Sequence, residues 1–200
     1  MKTNPVSEFT KFYASTTLGF LLAGSLLAAA AGDLVPYKGT IWGEIPFSVT
    51  TREFVVAYDR MEPVNEISSH LGRGTQQYSA IEFEQNSQTG ILTCMGTSQC
   101  YAANGDMLLL TFELVSDGPF KLNEPFTYRG SFTILPQGTG RFAFPDNAET
   151  DEDDFGLGGG TLFNGIGIAS VASDGKGVLP FSHDFAGTIA VLRGSPKKSK

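Results

Sequence analysis

The segment Ala102-Ala103-Asn104-Gly105-Asp106 is a turn between two β-rich stretches, and Gly138-Thr139-Gly140-Arg141-Phe142 is a second such turn further along the chain. Asn-Gly is a strong turn signal, because both residues tolerate a positive φ. Short runs rich in Val, Ile, Thr and Phe surround both turns, and helical periodicity is absent after residue 31. The sequence therefore predicts an all-β protein built from antiparallel strands, as a barrel or a sandwich.

The strands are predicted from short apolar or alternating runs bounded by turn residues. In the run from Phe126 to Ile134, the large apolar side chains fall on one face, with Gly130 between them. In Gln77–Glu84 the alternation is clean only from Ile81 onward, which raises the possibility of a bulge. The predicted strands are Tyr37–Trp42, Phe47–Thr51, Phe54–Tyr58, Gln76–Glu84, Gly90–Cys94, Met107–Val115, Phe126–Leu135, Thr161–Ala172 and Ser182–Leu192.

Residues 1–31 are typical of a secretory signal peptide. Two lysines precede an apolar stretch, and the small residues Ala28–Ala31 follow it. The alternative is a membrane anchor, but the apolar stretch is shorter than the ~20 residues that span a bilayer. We therefore expect cleavage near Ala31, a secreted or periplasmic protein without a membrane segment, one β-barrel domain over 32–192 and a basic C-terminal tail over 193–200.

The charge of the chain argues against nucleic acid as a partner. The full sequence has 14 basic and 21 acidic residues, a formal charge of −7. Removing residues 1–31 takes away two lysines and one glutamate, which leaves 12 basic and 20 acidic residues and a charge of −8. A nucleic-acid-binding domain is normally basic. The basic residues of the tail are too few to outweigh the acidic body.

The two cysteines, Cys94 and Cys100, are separated by five residues. In an exported chain this pair predicts one disulfide, with two strands running into a tight loop that brings the cysteines together. A redox-active pair is the alternative, but the spacing is not C-x-x-C.

Four short segments, in order, resemble a group of secreted bacterial proteins related to the allene oxide cyclase and dirigent type of β-barrel. These are His70-Leu71-Gly72-Arg73, the two turns described above, and Phe185-Ala186-Gly187-Thr188-Ile189. The resemblance covers residues 37–192. It implies an eight-stranded antiparallel barrel with a central cavity, a possible homo-oligomer, and for most members no established activity.

The chain departs from that group by an insertion, Phe144–Asp154, which contains six carboxylates. Hard oxygen ligands of this kind suit calcium, with Asp151, Asp153 and Asp154 as candidate ligands. The spacing is not that of an EF-hand loop, however, and a solvated acidic loop is the simpler interpretation. No other metal and no cofactor is expected, because only two histidines are present and no zinc or phosphate-loop motif occurs.

Few residues remain as candidates for chemistry or binding. His70 is either a rim histidine bonded to backbone or, with a carboxylate partner, a general acid or base. We take His70, Arg73 and Trp42 as candidate ligand-binding residues, with Trp42 expected to be in the core or to line the barrel. Arg141 is either a structural arginine that bonds turn carbonyls or an anion-binding group, and we expect the structural role. Ser182-His183-Asp184 is not a catalytic triad, because neighbours on a strand point to opposite faces.

Two classes of function follow. The first is a non-catalytic secreted barrel that binds a small apolar ligand or a macromolecular partner. The alternative is an isomerase or cyclase acting on a small apolar substrate in the barrel cavity, which needs little acid–base machinery. The interior separates the two: a pocket with inward charged groups favours the enzyme, and a filled interior favours a protein that acts through its surface.

Overall fold

The computed structural model describes residues 33–49, 54–142 and 157–191. The predicted signal peptide, the acidic insertion with Asp151, Asp153 and Asp154, and the C-terminal tail lie outside these ranges. The described residues form ten β-strands, two 3₁₀ turns and no α-helix. The strands are β1 (Asp33–Val49), β2 (Phe54–Val56), β3 (Val64–Ser68), β4 (Gly72–Gln85), β5 (Ile91–Ala102), β6 (Met107–Pro119), β7 (Pro125–Leu135), β8 (Gly158–Ile168), β9 (Ser170–Val171) and β10 (Lys176–Val191).

Eight of the strands form a closed ring of antiparallel pairs. Strands β3 to β8 pair in succession, β8 pairs with β10, and β1 joins β10 to β3. The β1–β10 pairing runs from Asp33↔Val191 to Ser48↔Lys176 and closes the ring. The short strands β2 and β9 add to β1 and β10 respectively. The prediction of an antiparallel all-β protein is confirmed.

Alternate residues of each strand point into the ring and form its core. On β7 the side chains of Tyr128, Phe132 and Ile134 are buried, as the one-face pattern predicted. On β4 the register shifts between Tyr78 and Ala80. This bulge lets Tyr78 and Ile81, which are three residues apart, both face inward.

The two turns that define the sequence pattern lie against each other. Ala102–Asp106 joins β5 to β6, with Gly105 at φ +86°. The second turn folds back on the start of β6, where the backbone N–H of Thr139 donates to the carbonyl of Met107 and the N–H of Met107 donates to Oγ1 of Thr139. The two turns thus form one local unit at an end of the ring.

Aromatic and aliphatic side chains close both ends of the ring. Near the paired turns, Phe142 is fully buried in the hydrophobic core. At the other end, the ring of Phe54 stacks on Phe47 with centroids 4.0 Å apart and contacts Phe83 and Phe120 at 4.7 and 6.5 Å. The interior is therefore covered at both ends.

Strand boundaries differ from the prediction where pairing overrides local sequence. The two predicted strands before residue 52 are one strand, β1, because it pairs with β10 over its whole length. The short strand β3 was not predicted, although its burial alternates strictly. Strand β5 continues well beyond Cys94, because β4 and β6 pair with it on both sides.

Candidate functional site

Trp42 lies on the outside of the ring. Its neighbour Ile41 points inward and is 5 % exposed, whereas Trp42 is 37 % exposed. The expectation that Trp42 belongs to the core or lines the interior is wrong. Two apolar residues in succession cannot both face inward on a strand, and the pairing of β1 assigns the interior to Ile41.

Strand register places further outward side chains beside Trp42. Ser182 of β10 lies directly opposite Trp42, and Ile166 of β8 lies opposite Ser182. Two residues further along the strands, Thr40 of β1 lies opposite both Ile67 of β3 and Asp184 of β10. Asp184 in turn lies opposite Phe163 of β8. Apolar side chains thus alternate with small or polar ones across four neighbouring strands.

We call the exposed apolar residues of this region the tryptophan face. They make up more than half of the exposed large hydrophobic side chains among the described residues, and their exposures run from 36 % to 50 %. Side chains on the solvent side of a sheet are usually polar, and large exposed apolar patches mark interaction sites. The face consists of Trp42, Ile67, Phe163, Ile166 and Ile168.

A hydrogen-bonded carboxylate lies within the face. Oγ1 of Thr40 donates to Oδ1 of Asp184 at 2.7 Å, and Nδ2 of Asn164 donates to Oδ2 at 2.9 Å. These bonds hold the pKa of Asp184 below its usual range, and the bond from Asn164 contributes more than the bond from Thr40. Asn164 adopts φ +53° where β8 bulges between Phe163 and Gly165. The bonds link β1, β10 and β8 on the outer surface, among the apolar side chains.

The other candidate residues divide between the face and the end of the ring. Arg73 is exposed on β4 and lies opposite Ile67, at the edge of the tryptophan face. Within the described residues Arg73 makes no ion pair. His70 lies half-buried in the turn after β3, with Nε2 2.9 Å from the carbonyl oxygen of Pro36. The structure therefore brings Arg73 and Trp42 onto one surface and leaves His70 as a rim histidine bonded to backbone.

The interior of the ring leaves little free space. Two cavities lined by inward side chains have volumes of about 20 and 40 Å³. A water molecule needs roughly 10–15 Å³ on this measure, whereas ligand pockets are typically about 300 Å³ or more. The cavities therefore have room for one to a few waters. Their linings are dominated by Phe, Tyr, Leu and Ile side chains.

Several polar groups nevertheless point inward. Glu66 is fully buried, and the hydroxyl of Tyr37 donates to its Oε1 at 2.7 Å. His183 is 4 % exposed, with Nδ1 3.0 Å from the hydroxyl of Tyr128. Burial lowers the pKa of His183 to about 4, so its imidazole is neutral at physiological pH. Its neighbours Ser182 and Asp184 face outward, which confirms that the three residues form no triad.

Sequence reasoning did not identify Glu66 and Gln76 as polar residues that face the same part of the interior. In Val64-Asn65-Glu66-Ile67-Ser68 the even positions are buried, and strict alternation with Val64 could have placed Glu66 inside. No local signal reveals that Gln76 faces the same space, because strand pairing decides it.

The predicted disulfide between Cys94 and Cys100 is not formed. Both cysteines are free, buried and on the same straight strand, β5. Cys94 and Cys100 are six positions apart along the strand, which places their Cα atoms about 20 Å apart. This is far beyond the ~7 Å limit for a disulfide bridge. Burial raises the pKa of Cys94 to about 12 and that of Cys100 well above its usual value. Neither thiol is activated as a nucleophile.

Comparisons with known proteins identify no relative: no family model, no curated protein and no solved structure matches the chain. The described residues contain no cluster of three or more His, Cys, Asp and Glu side chains arranged to hold a metal ion. In the same ranges, no helix has the length and hydrophobicity needed to cross a membrane.

Proposed function

We propose that this chain is an exported, non-catalytic β-barrel protein that binds a macromolecular partner through the tryptophan face. The proposal includes an eight-stranded barrel of the allene oxide cyclase-like type, which the closed ring of eight antiparallel strands supports. The observation that carries the function is the contrast between a filled interior and an apolar exterior. The inward side chains leave cavities of about 20 and 40 Å³, while Trp42 and four neighbouring residues are exposed.

The composition of the face suits a protein partner. Aromatic residues and arginine are enriched in protein interfaces, and tryptophan and arginine are frequent among the residues that dominate binding energy. Trp42 and Phe163 supply the aromatic surface, and Arg73 at the edge supplies a charged group free to pair with a carboxylate. The hydrogen bonds to Asp184 link side chains of β1, β8 and β10 within the face, which favours a preorganised surface.

The small-ligand alternatives, a bound apolar molecule or an isomerase substrate, need a cavity of a few hundred Å³. Inside the ring of strands, either ligand would have to displace the packed aromatic side chains. The interior packing therefore favours the surface over the cavity as the functional part of the molecule.

Site-specific photo-crosslinking tests this proposal. A photoreactive amino acid at position 42 or 166, in the protein made by its own host, is expected to give the same discrete adduct, and Ile67→Arg is expected to abolish it. Position 95 is the matched control, because Met95 is 41 % exposed on β5, between Glu82 and Glu113, and lines a separate surface hollow of about 460 Å³ away from the face.

Two results would contradict the proposal. One is the absence of an adduct at positions 42 and 166, or an equal yield at position 95. The other is a small organic molecule that copurifies with the protein in native mass spectrometry and is retained by the Ile67→Arg variant.

A further inference from the structure

Two fully buried side-chain oxygens lack a hydrogen-bond partner in the part of the chain that the structure describes. They are Oε2 of Glu66 and Oε1 of Gln76. Their residues are 0 % and 2 % exposed. A buried polar atom without a partner costs roughly 1–3 kcal/mol, and more where it carries charge. Two such atoms in a filled interior therefore call for a physical explanation.

The two side chains point into the same space from neighbouring strands. In the β3–β4 pairing Val64 lies opposite Gln76, and Glu66 lies opposite Gly74. Glu66 and Gln76 are thus diagonal neighbours, at a Cα separation of about 7–8 Å that long side chains can bridge. Gly74 has no side chain to fill the space between them.

The remaining polar atoms of both residues are already engaged. Oε1 of Glu66 accepts the hydroxyl of Tyr37 at 2.7 Å, and Nε2 of Gln76 donates to Oγ of Ser98 at 2.5 Å. The described polar groups around the carboxyl are Tyr37 of β1, Ser68 of β3, Gln76 and Tyr78 of β4, and Ser98 and Cys100 of β5. His183 of β10 lines the same cavity as Tyr37 and Gln76, but its imidazole is neutral at physiological pH. None of these groups is cationic, so no described side chain supplies a counter-charge.

An ionised Glu66 would be unfavourable in this setting. The carboxylate would be buried without a cation, and in the amide orientation that the structure has, the unpaired atom of Gln76 is an oxygen, which cannot donate to it. Burial raises the pKa of Glu66, and the hydrogen bond from Tyr37 and the nearby polar groups of Ser68 and Cys100 only partly oppose the shift. Protonation turns Oε2 into a donor, while Oε1 of Gln76 still needs one.

We propose that Glu66 and Gln76 form a buried proton-binding site, in which Glu66 carries the proton and donates it to Oε1 of Gln76, directly or across one water molecule. The site is independent of the tryptophan face. Its stabilising effect is complete below the ordinary pKa of a glutamate, about 4.5, and is lost as the pH rises through the higher pKa of the folded protein.

Infrared difference spectroscopy tests the proposal on the folded protein. At pH 7 the spectrum of wild type minus Glu66→Gln is expected to contain the C=O stretch of a protonated carboxylic acid, which shifts in D₂O. Gln76→Met removes the acceptor and is expected to move that band to higher frequency. Glu82→Gln is the matched control, because Glu82 is an exposed carboxylate on the same strand as Gln76 and should give no acid band.

Thermal unfolding gives a second measurement. Glu66→Gln keeps a donor at the Oε2 position, so we expect a melting temperature close to that of wild type at pH 7 and a weaker decline at alkaline pH. If the variant fails to fold, a titration of the wild-type protein alone tests the proposal. Its carboxylic-acid band should disappear reversibly as the pH is raised from neutral to the onset of alkaline unfolding.

A carboxylate band for Glu66 at pH 7 would overturn the proposal. So would an acid band that does not respond to Gln76→Met. A melting temperature that rises specifically with Na⁺ or K⁺ and loses this dependence in Glu66→Gln would instead show that a cation occupies the site.

Discussion

Arg141 and Asp106 join the two turns that identify this chain as an antiparallel β protein. Nε of Arg141 lies 3.2 Å from Oδ2 of Asp106, and the Arg141 guanidinium also lies 5.0 Å from the centroid of the Phe142 ring. Asp106 in turn accepts a hydrogen bond from Nδ2 of Asn104. The expected structural role of Arg141 is thus explained by a side-chain ion pair, and the two turns are parts of one corner of the fold.

Gly140 makes this corner possible, and its replacement should destabilise the protein. Gly140 has φ +61°, and a Cβ atom there would lie 1.9 Å from Oδ1 of Asp106. We expect Gly140→Val to lower the free energy of unfolding by about 2 kcal/mol or more, from backbone strain and the clash together. Denaturant unfolding measures this. Gly118→Ala is the control, because a Cβ at Gly118 meets no atom within 4 Å. Equal stability of the two variants would contradict the turn assignment.

The ion pair itself should contribute little. The side chains of Arg141 and Asp106 are 40 % and 18 % exposed. We expect a double-mutant cycle of Arg141→Ala and Asp106→Ala to give a coupling energy below about 1 kcal/mol, reduced further by salt. Asp106→Ala alone should cost more than Arg141→Ala, because it also removes the hydrogen bond that Oδ2 of Asp106 accepts from Nδ2 of Asn104. A coupling of several kcal/mol would show that the pair, and not the glycine, determines the corner.

The two cysteines should remain free thiols that react only on unfolding. Both are buried, with raised pKa values, and β5 holds them about 20 Å apart. We expect the native protein, purified without reductant, to bind no iodoacetamide, and the denatured protein to take up two carboxamidomethyl groups by mass spectrometry. Denatured protein that takes up none unless it is first reduced would indicate a disulfide and an altered β5.

His183 should make the protein sensitive to acid. Its pKa is about 4 in the folded state, against 6.5 for an ordinary histidine, so the folded state binds fewer protons between these values. The stabilisation that comes from keeping the His183 imidazole neutral is fully present above pH 6.5. It is lost as the pH falls towards 4, which lowers the free energy of unfolding by about 3 kcal/mol in total. We expect the unfolding free energy of wild type, relative to that of His183→Phe, to fall as the pH is lowered over this range. A difference independent of pH would contradict this prediction.

Local sequence was a good guide wherever neighbours along the chain determine the structure. The Asn104-Gly105 turn, the Gly138–Phe142 turn and the shared face of Tyr128, Phe132 and Ile134 all depend on residues within a few positions of one another. The same short-range logic separated His183 from its neighbours Ser182 and Asp184. These features could be predicted because backbone sterics and the two-residue period of a strand are local properties.

The sequence by itself determined that this is an antiparallel β protein with tight glycine turns, since strand alternation and the conformational range of glycine are properties of short segments. Only the tertiary structure decided that Ile41 and not Trp42 faces inward, that Thr40 binds Asp184 across 144 residues, and that Cys94 and Cys100 share one straight strand. It also placed Glu66 beside Gln76. Each of these depends on which strands pair and in what register, and pairing is set by the closure of the whole ring, in which the long-range hydrogen bonds and the packing of the interior are satisfied together.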